Sequence, residues 1–379
     1  MTFTNRLFFL FCFIYLFLTQ TVLAKTIQIP KNYSSVQEGI DKAQDGDTIL
    51  VAKGTYYENI NFLGKKIVLA SHFILKGDTT LIAKTILDGS KSAGSKGPDN
   101  KDSASVVKFI SGEDSSSVLI GFTIQNGSGV LILPPNSYGG GGIICKSSSP
   151  RIVRNIVKNN FAYAYGGGIY CQDGSPQIMQ NTITKNNTNY FGGGVFCKSA
   201  SPKIEENILK SNSAKYGRGG GIYCYSATPL VKRNLILSNT CYLEGGGVCC
   251  ESLASALIIN NTFARNKSVA GSGIGSIKSS SPRIVNNIIS FGEGAALWCD
   301  KSSNPFITHN DFWETPGENY GNCQPSPDNL SVDPLFVNPE KFDYHLQKDS
   351  PLIDAGDTTS IYEDPDGTKP DLGALYFQK

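Results

Sequence analysis

Gly166-Gly167-Gly168-Ile169-Tyr170-Cys171-Gln172-Asp173-Gly174-Ser175-Pro176-Gln177-Ile178-Met179-Gln180-Asn181-Thr182-Ile183-Thr184-Lys185-Asn186-Asn187-Thr188-Asn189-Tyr190 is the stretch that decides the fold. Close variants of it recur between Gly139 and Asn310 at intervals of roughly 26 residues, a period that marks a stacked-coil solenoid. Three apolar runs alternate in the manner of strands. Ile169 and Cys171 point inward with Tyr170 between them, Ile178 follows Pro176, and Ile183 follows Asn181. Pro176 opens its strand, where a missing N–H matters least. Three short strands per coil, stacked in register, make three parallel sheets around one all-β core, each coil rising by about 4.8 Å.

Equivalent residues then form files. Cys145, Cys171, Cys197, Cys224 and Cys250 hold one, continued by Ser276 and Cys299. Asn155, Asn181, Asn207, Asn234, Asn261, Asn287 and Asn310 hold a second, and Asn160, Asn186, Asn212, Asn239 and Asn266 a third. A side-chain amide has both donor and acceptor, so amides at strand spacing can bond as a ladder while asparagine tolerates a left-handed turn. The thiols form a straight file rather than converging on a point. A tetrahedral metal site needs convergence, so the cysteines read as small buried hydrophobes and no metal site is expected. In-register neighbours on flat parallel strands also suit a disulfide poorly. Cys299 and Cys323 are candidates for a disulfide that pins the C-terminal loop, whereas Cys241 and Cys249 can pair only if the loop between them folds back.

At the N-terminus, Arg6 precedes an apolar run from Leu7 to Leu18, and Val22-Leu23-Ala24 fits a signal peptidase site. The run is short for a membrane span. The expected division is a signal peptide at 1–24, a cap and first coil at 25–60, irregular coils with a loop insertion at 61–138, regular repeats at 139–310, and a closing coil and cap at 311–379. The mature chain is expected to be a secreted, periplasmic or surface-attached monomer with no membrane span. The net charge of +2 and the lack of a basic block argue against nucleic acid as a partner. Within the cap, Val36, Ile40 and Ala43 recur at helical spacing behind Ser34-Ser35, so a short helix should cover the open end of the solenoid.

The run from Tyr33 to Ala43, with Asp45-Gly46-Asp47-Thr48 and Gly54-Thr55-Tyr56-Tyr57-Glu58-Asn59-Ile60, resembles the cap and first coil of right-handed parallel β-helix proteins of the pectin lyase-like group. Val332-Asp333-Pro334-Leu335-Phe336, Ser350-Pro351-Leu352-Ile353-Asp354-Ala355-Gly356-Asp357 and Asp371-Leu372-Gly373-Ala374 are similar to the closing segment of its bacterial secreted members. The resemblance implies a right-handed, single-stranded parallel β-helix. It also implies that a polymer would lie along the first, cysteine-bearing sheet. That sheet's outward residues are Ile144, Tyr170, Phe196, Tyr223, Cys249, Gly275 and Trp298, beside a strip that includes Gly168, Gly194 and Gly221. A polysaccharide or other cell-surface component could stack on these rings, with Asp173, Lys198 and Asp300 as polar neighbours. Alternatively, the rings pack beneath the variable loops.

Catalytic residues are not legible. The candidate acids and bases Asp173, Lys198, Glu251, Asp300 and Lys301 fall one to a coil, while Glu205, Glu206, Arg218, Lys232 and Arg233 occupy other rows. His72, His309 and His345 have no triad or metal spacing, and His309 is expected on a strand. The leading expectation is binding to polysaccharide or a surface partner without turnover and without a cofactor. The alternative is a lyase or related enzyme on an acidic glycan, for which calcium is a possible cofactor. Two acids and a base within hydrogen-bond reach on the first sheet would favour the enzyme.

Overall fold

Inward-facing aliphatic residues stack coil upon coil to make the core. Ile143, Ile169, Val195, Ile222 and Val248 stand in register on the first sheet, beside the cysteine file. Ile152, Ile178 and Ile204 do the same on the second, and Val157, Ile183 and Leu209 on the third. All are fully or almost fully buried, each contributing about 1.5–3 kcal/mol relative to exposure. The computed structural model describes residues 24–91, 95–96, 102–133, 137–315, 319–359, 364 and 367–377. Residues 1–23, nearly all of the expected signal peptide, lie outside that set. No helix among the described residues is long and apolar enough to cross a membrane.

The architecture is an all-β right-handed parallel β-helix with three large parallel sheets. Among the described residues the first sheet has 10 strands, the second 11 and the third 10. A fourth, four-stranded sheet, absent from the sequence reading, joins Phe161–Ala162, Asn187–Thr188, Ser213–Ala214 and Thr240–Cys241. The helix Val36–Lys42 starts at Ser35, whose hydroxyl accepts from Glu38 N–H at 3.1 Å, and it buries Val36 and Ile40 against the first coil. Within the loop insertion expected in the irregular coils, Ser95–Lys96 pairs antiparallel with Asp102–Ser103, and residues 92–94 and 97–101 lie outside the described set.

The asparagine file forms a continuous ladder. Asn181 Nδ2 donates to Asn207 Oδ1 at 3.0 Å and Asn207 Nδ2 to Asn234 Oδ1 at 3.0 Å. The backbone N–H of Asn181 also donates to Asn207 Oδ1 at 2.9 Å, and Asn207 Nδ2 also reaches Ile178 O at 2.8 Å. The ladder runs one rung beyond Asn310, whose Nδ2 donates to Asn329 Oδ1 at 3.0 Å. The second ladder, Asn160 to Asn266, repeats the pattern. The left-handed turn residue, however, is not the ladder asparagine but the residue before it. Arg154, Gln180, Glu206, Arg233, Asn260, Asn286 and His309 all have φ between 49° and 57°. Left-handed backbone costs a non-glycine residue about 1–2 kcal/mol, and the buried amide that follows holds the corner closed. His309 is therefore a corner residue, not a strand residue.

Cys145, Cys171, Cys197, Cys224 and Cys250 are free and buried, as are Cys241 and Cys249. Burial pushes the Cys145 thiol well above its usual range, as expected of inert core cysteines. Cys299 and Cys323 are joined by a disulfide with Cα atoms 5.3 Å apart. Beyond it the chain turns back along the outside of the third sheet. Phe336, Tyr344, Leu346, Leu352 and Leu372 pack on Leu237, Ala264 and Ile288. Asn260 Nδ2 donates to Asp371 O at 2.9 Å, and Ala374 N–H to Thr262 Oγ1 at 3.0 Å. Asp357 is a turn former, its Oδ1 accepting from Thr359 N–H at 2.9 Å.

Where the last coil closes, Asp311 is fully buried. Its Oδ1 accepts from Val332 N–H at 3.0 Å, and its Oδ2 has no hydrogen-bond partner among the described residues. Burial, reinforced by the charge of Asp333, raises its pKa to about 7. The native state therefore holds this proton where the unfolded chain has lost it. Its contribution is full below the ordinary carboxylate pKa and is lost as pH rises to about 7.

Two outcomes follow. Asn207→Ala removes four hydrogen bonds inside the wall and should cost on the order of 3 kcal/mol in urea unfolding; an unchanged midpoint would detach the ladder from stability. Asp311→Asn should be more stable than the parent at pH 8 by a few kcal/mol, on the order set by the shift, and should flatten the parent's decline between about pH 4 and pH 7. Thermal unfolding from about pH 4 to pH 8 measures both.

Candidate functional site

In-register pairing stacks the outward residues of the first sheet as well. Ile144, Tyr170, Phe196, Tyr223 and Cys249 follow one another on adjacent strands. Tyr170 and Phe196 lie with ring centroids 5.2 Å apart and planes 3° from parallel, Phe196 and Tyr223 at 5.4 Å and 16°. The file is not an open platform. Tyr170, Phe196 and Tyr223 are 1%, 3% and 2% exposed. A second file roofs them, with Tyr165 at 4.9 Å from Phe196 and Phe191 at 4.8 Å from Tyr223. Val130 and Ile132, from the hairpin of Val130–Leu133 and Ser137–Gly139, add to the cover. The returning loop bends across the sheet at Gly166, Gly192 and Gly219, whose φ values of 58°, 68° and 65° suit glycine. The expected ring ladder is thus a second small core beneath the loops.

Nor are Gly168, Gly194 and Gly221 a sugar-facing strip. A Cβ on Gly168 would lie 2.6 Å from Gly194 O, one on Gly194 2.6 Å from Gly221 O, and one on Gly221 2.6 Å from Gly247 O. Each also abuts the second amide ladder at Asn186, Asn212 or Asn239. Close approach between coils, not to a ligand, demands the glycine. Asp300 is a turn residue: its Oδ2 accepts from Lys278 N–H at 2.6 Å and its Oδ1 from Ser302 N–H at 3.0 Å. Its partial burial opposes ionisation, but these bonds outweigh it and hold the pKa below the usual range. Asp173 is exposed and accepts from Gln172 Nε2 at 2.8 Å. Trp298 is half-buried against Gly321 of the next coil.

What stays open is a cleft of about 250 Å³ above the rings, walled by Leu133, Phe191, Lys198, Tyr225 and Glu251. Lys198, Tyr225 and Glu251 occupy the same register position on successive coils. At this end the structure assembles charges that the sequence placed in separate rows. Glu251, almost fully buried, accepts from Tyr223 Oη and pairs through Oε1 with Lys278 Nζ at 2.5 Å. Arg218 Nη1 lies 3.8 Å from Glu251 Oε2, and Arg218 Nε pairs with Glu244. Two acids and two bases therefore meet, but only Glu251 among them stands on a strand of the first sheet; Arg218 and Glu244 come from the returning loops and Lys278 from just past its strand, so the arrangement that would favour an enzyme is not the one formed. Burial disfavours the Arg218 charge, but its hydrogen bond and charge pairing with Glu244, and the Glu251 charge, outweigh it and hold the guanidinium protonated. Burial, together with Cys249 and Glu251, likewise raises the Tyr223 pKa. Neither group is poised to give or take a proton near neutrality; the cluster is internally balanced. Aligning register positions four residues past each glycine triplet would have put Glu251 beside Lys198 and Tyr225. Arg218, one coil on from Phe191, is found only once loop lengths are known.

The histidines are scattered: His72 precedes a short helix, His309 is a corner, and His345 Nδ1 lies 2.6 Å from Asp343. Among the described residues no group of three or more His, Cys, Asp or Glu side chains is placed to hold a metal ion.

Coil geometry of this kind defines a parallel β-helix, and the chain belongs to the right handed beta helix region family, whose pattern matches residues 100–240 and 199–324. Among solved structures it is similar to that of pectate lyase Pel9A, at 14% identity over 93% of this chain and 96% of that one, with a TM-score of 0.51. Identity that low speaks for the fold alone. No curated protein matches in sequence.

The glycine assignment is testable without a ligand. Gly194→Ala should lower stability by about 2 kcal/mol or more, since its new methyl meets backbone rather than a movable side chain. A variant with the parental melting temperature would return the glycines to the surface.

Proposed function

We propose that the protein is exported and binds extracellular or cell-surface polysaccharide, with a sugar unit held in the cleft over the first sheet. The observation that carries the reading is the composition of that cleft: an aromatic wall with Lys198, Tyr225 and Glu251 at its edge. Its volume suits about one or two pyranose rings and falls just below the usual range of ligand pockets. Apolar walls take the ring faces, and the few polar groups fix orientation. The relatives' fold supports carbohydrate as the class. The ion-paired state of the charges supports binding without turnover, because Glu251 is already satisfied by Tyr223, Arg218 and Lys278.

A second reading draws on the same cluster. Glu251, which lines the cleft, with its partners Arg218 and Lys278 and Arg218's partner Glu244, would serve as an acid/base set in a polysaccharide lyase or related enzyme if a substrate displaced one ion pair. Exposure to a panel of neutral and acidic polysaccharides separates the two. Retention without new reducing or unsaturated ends is the expected result, and Lys198→Ala should weaken it by about tenfold. Product formation abolished by Glu251→Gln would replace the binding reading with the enzymatic one. Absence of both retention and products would remove carbohydrate altogether.

A further inference from the structure

Outside the cleft, the loops carry a second aromatic file that is exposed. Tyr163, Tyr190, Tyr216 and Tyr242 stand on successive coils just past the strands of the small fourth sheet, Tyr190 and Tyr216 two residues beyond the strand end and Tyr163 and Tyr242 one. Tyr216 N–H donates to Asn189 O at 2.8 Å and Lys215 N–H to Thr188 O at 2.9 Å, which places Tyr216 directly beside Tyr190. Tyr163 and Tyr190 meet edge to face with centroids 5.9 Å apart. Exposure climbs along the file: Tyr190 38%, Tyr216 53%, Tyr242 62%. Unlike the roofed rings, Tyr190, Tyr216 and Tyr242 each keep more than a third of their surface exposed. Repeated exposed aromatics in one line mark an interaction surface more often than chance exposure does.

We infer that this tyrosine file is a second binding surface, on which an extended, uncharged polysaccharide chain lies parallel to the solenoid axis. The inference rests on the carbohydrate reading above and adds the form of the ligand: a long chain rather than a free sugar. Three observations select it. The file is staggered by one residue position at Tyr163 and Tyr242, but along the axis it advances by one coil, about 4.8 Å, a step comparable with the length of one pyranose ring in an extended chain. Tyrosine offers a flat apolar face with a hydroxyl at its edge, which matches the C–H face and hydroxyl rim of a sugar. The neighbouring acids are compensated, Glu244 by Arg218 and Glu293 by Lys267 at 2.5 Å, so the flank presents no free carboxylate to select a cationic partner. Lys215 Nζ, 4.7 Å from the Tyr216 ring centroid, is a donor for sugar oxygens. A globular protein partner is disfavoured by area, because a file one residue wide falls short of the roughly 1,000 Å² that a specific protein interface needs.

The file and the cleft predict different things. Short oligosaccharides should bind through the cleft, whereas long chains should gain from the file as well. Affinity electrophoresis of the full protein in soluble β-1,4-linked glucan, xylan and mannan, with dextran and polygalacturonate as further arms, is compared with calorimetry on oligosaccharides of the retained polymer. The triple variant Tyr190→Ala, Tyr216→Ala, Tyr242→Ala should lose at least tenfold in polymer retention and keep parental oligosaccharide affinity and melting temperature. The corresponding three Tyr→Phe substitutions should keep most of the retention. If the triple variant is misfolded, Tyr242→Ala alone, at the most exposed ring, should still weaken retention about threefold. Parental retention by the folded alanine variants overturns the file while the cleft stands, and preference for polygalacturonate over every uncharged polymer overturns its ligand class. Failure of the parent to bind any polymer or oligosaccharide overturns both readings.

Discussion

A buried amide bonded to the amide one coil above it is the interaction on which the rest of this structure depends. Each coil must change direction at sharp corners, and a corner built from non-glycine residues needs left-handed backbone. Gln180, Glu206 and Arg233 adopt it because the asparagine that follows is fixed by backbone and side-chain bonds to the next coil. The amide thus offsets the corner strain, satisfies buried carbonyls and sets the register of all three sheets. Repeating that bond at a second corner leaves little choice in how the coils stack.

The candidate site inherits this order. Register brings Lys198, Tyr225 and Glu251 into one line, and the loops at Gly192 and Gly219 bring Phe191 and Arg218 over it. Burial then does two things. It turns the rings of the first sheet into a packed layer, and it forces the charges at its end to neutralise one another. A groove that read as an open track in one dimension is in three dimensions a short cleft.

Much of the fold is legible in the period. Spacing between the cysteines and asparagines identifies inward residues, ladders and the three large sheets, though not the small fourth one, because in a solenoid equivalent sequence positions are spatial neighbours. Legibility fails where the period does. Asn329 completes the ladder at an irregular interval and carries no signal beside its neighbours. The left-handed residue at each corner varies among Arg, Gln, Glu, Asn and His, so its conformation is imposed by the amide that follows rather than announced by residue type. Alternation along a strand says that Tyr170 faces away from the core, but not what the loop at Tyr165 lays over it. The same limit hid the exposed tyrosines, since loop rings look alike in sequence whether they roof a sheet or face water.

The returning C-terminal segment changes what kind of object the solenoid is. Coils that touch only their neighbours can come apart one at a time from a free end. Here Asp371, Gly373 and Ala374 are hydrogen-bonded to Asn260, Asn286 and Thr262, in the coils that precede the one carrying Asn310. The final turns are strapped down like the end of a rope whipped back over its own windings. Unravelling from that side must first lift the strap, so the terminal coils share one cooperative fate instead of fraying in sequence.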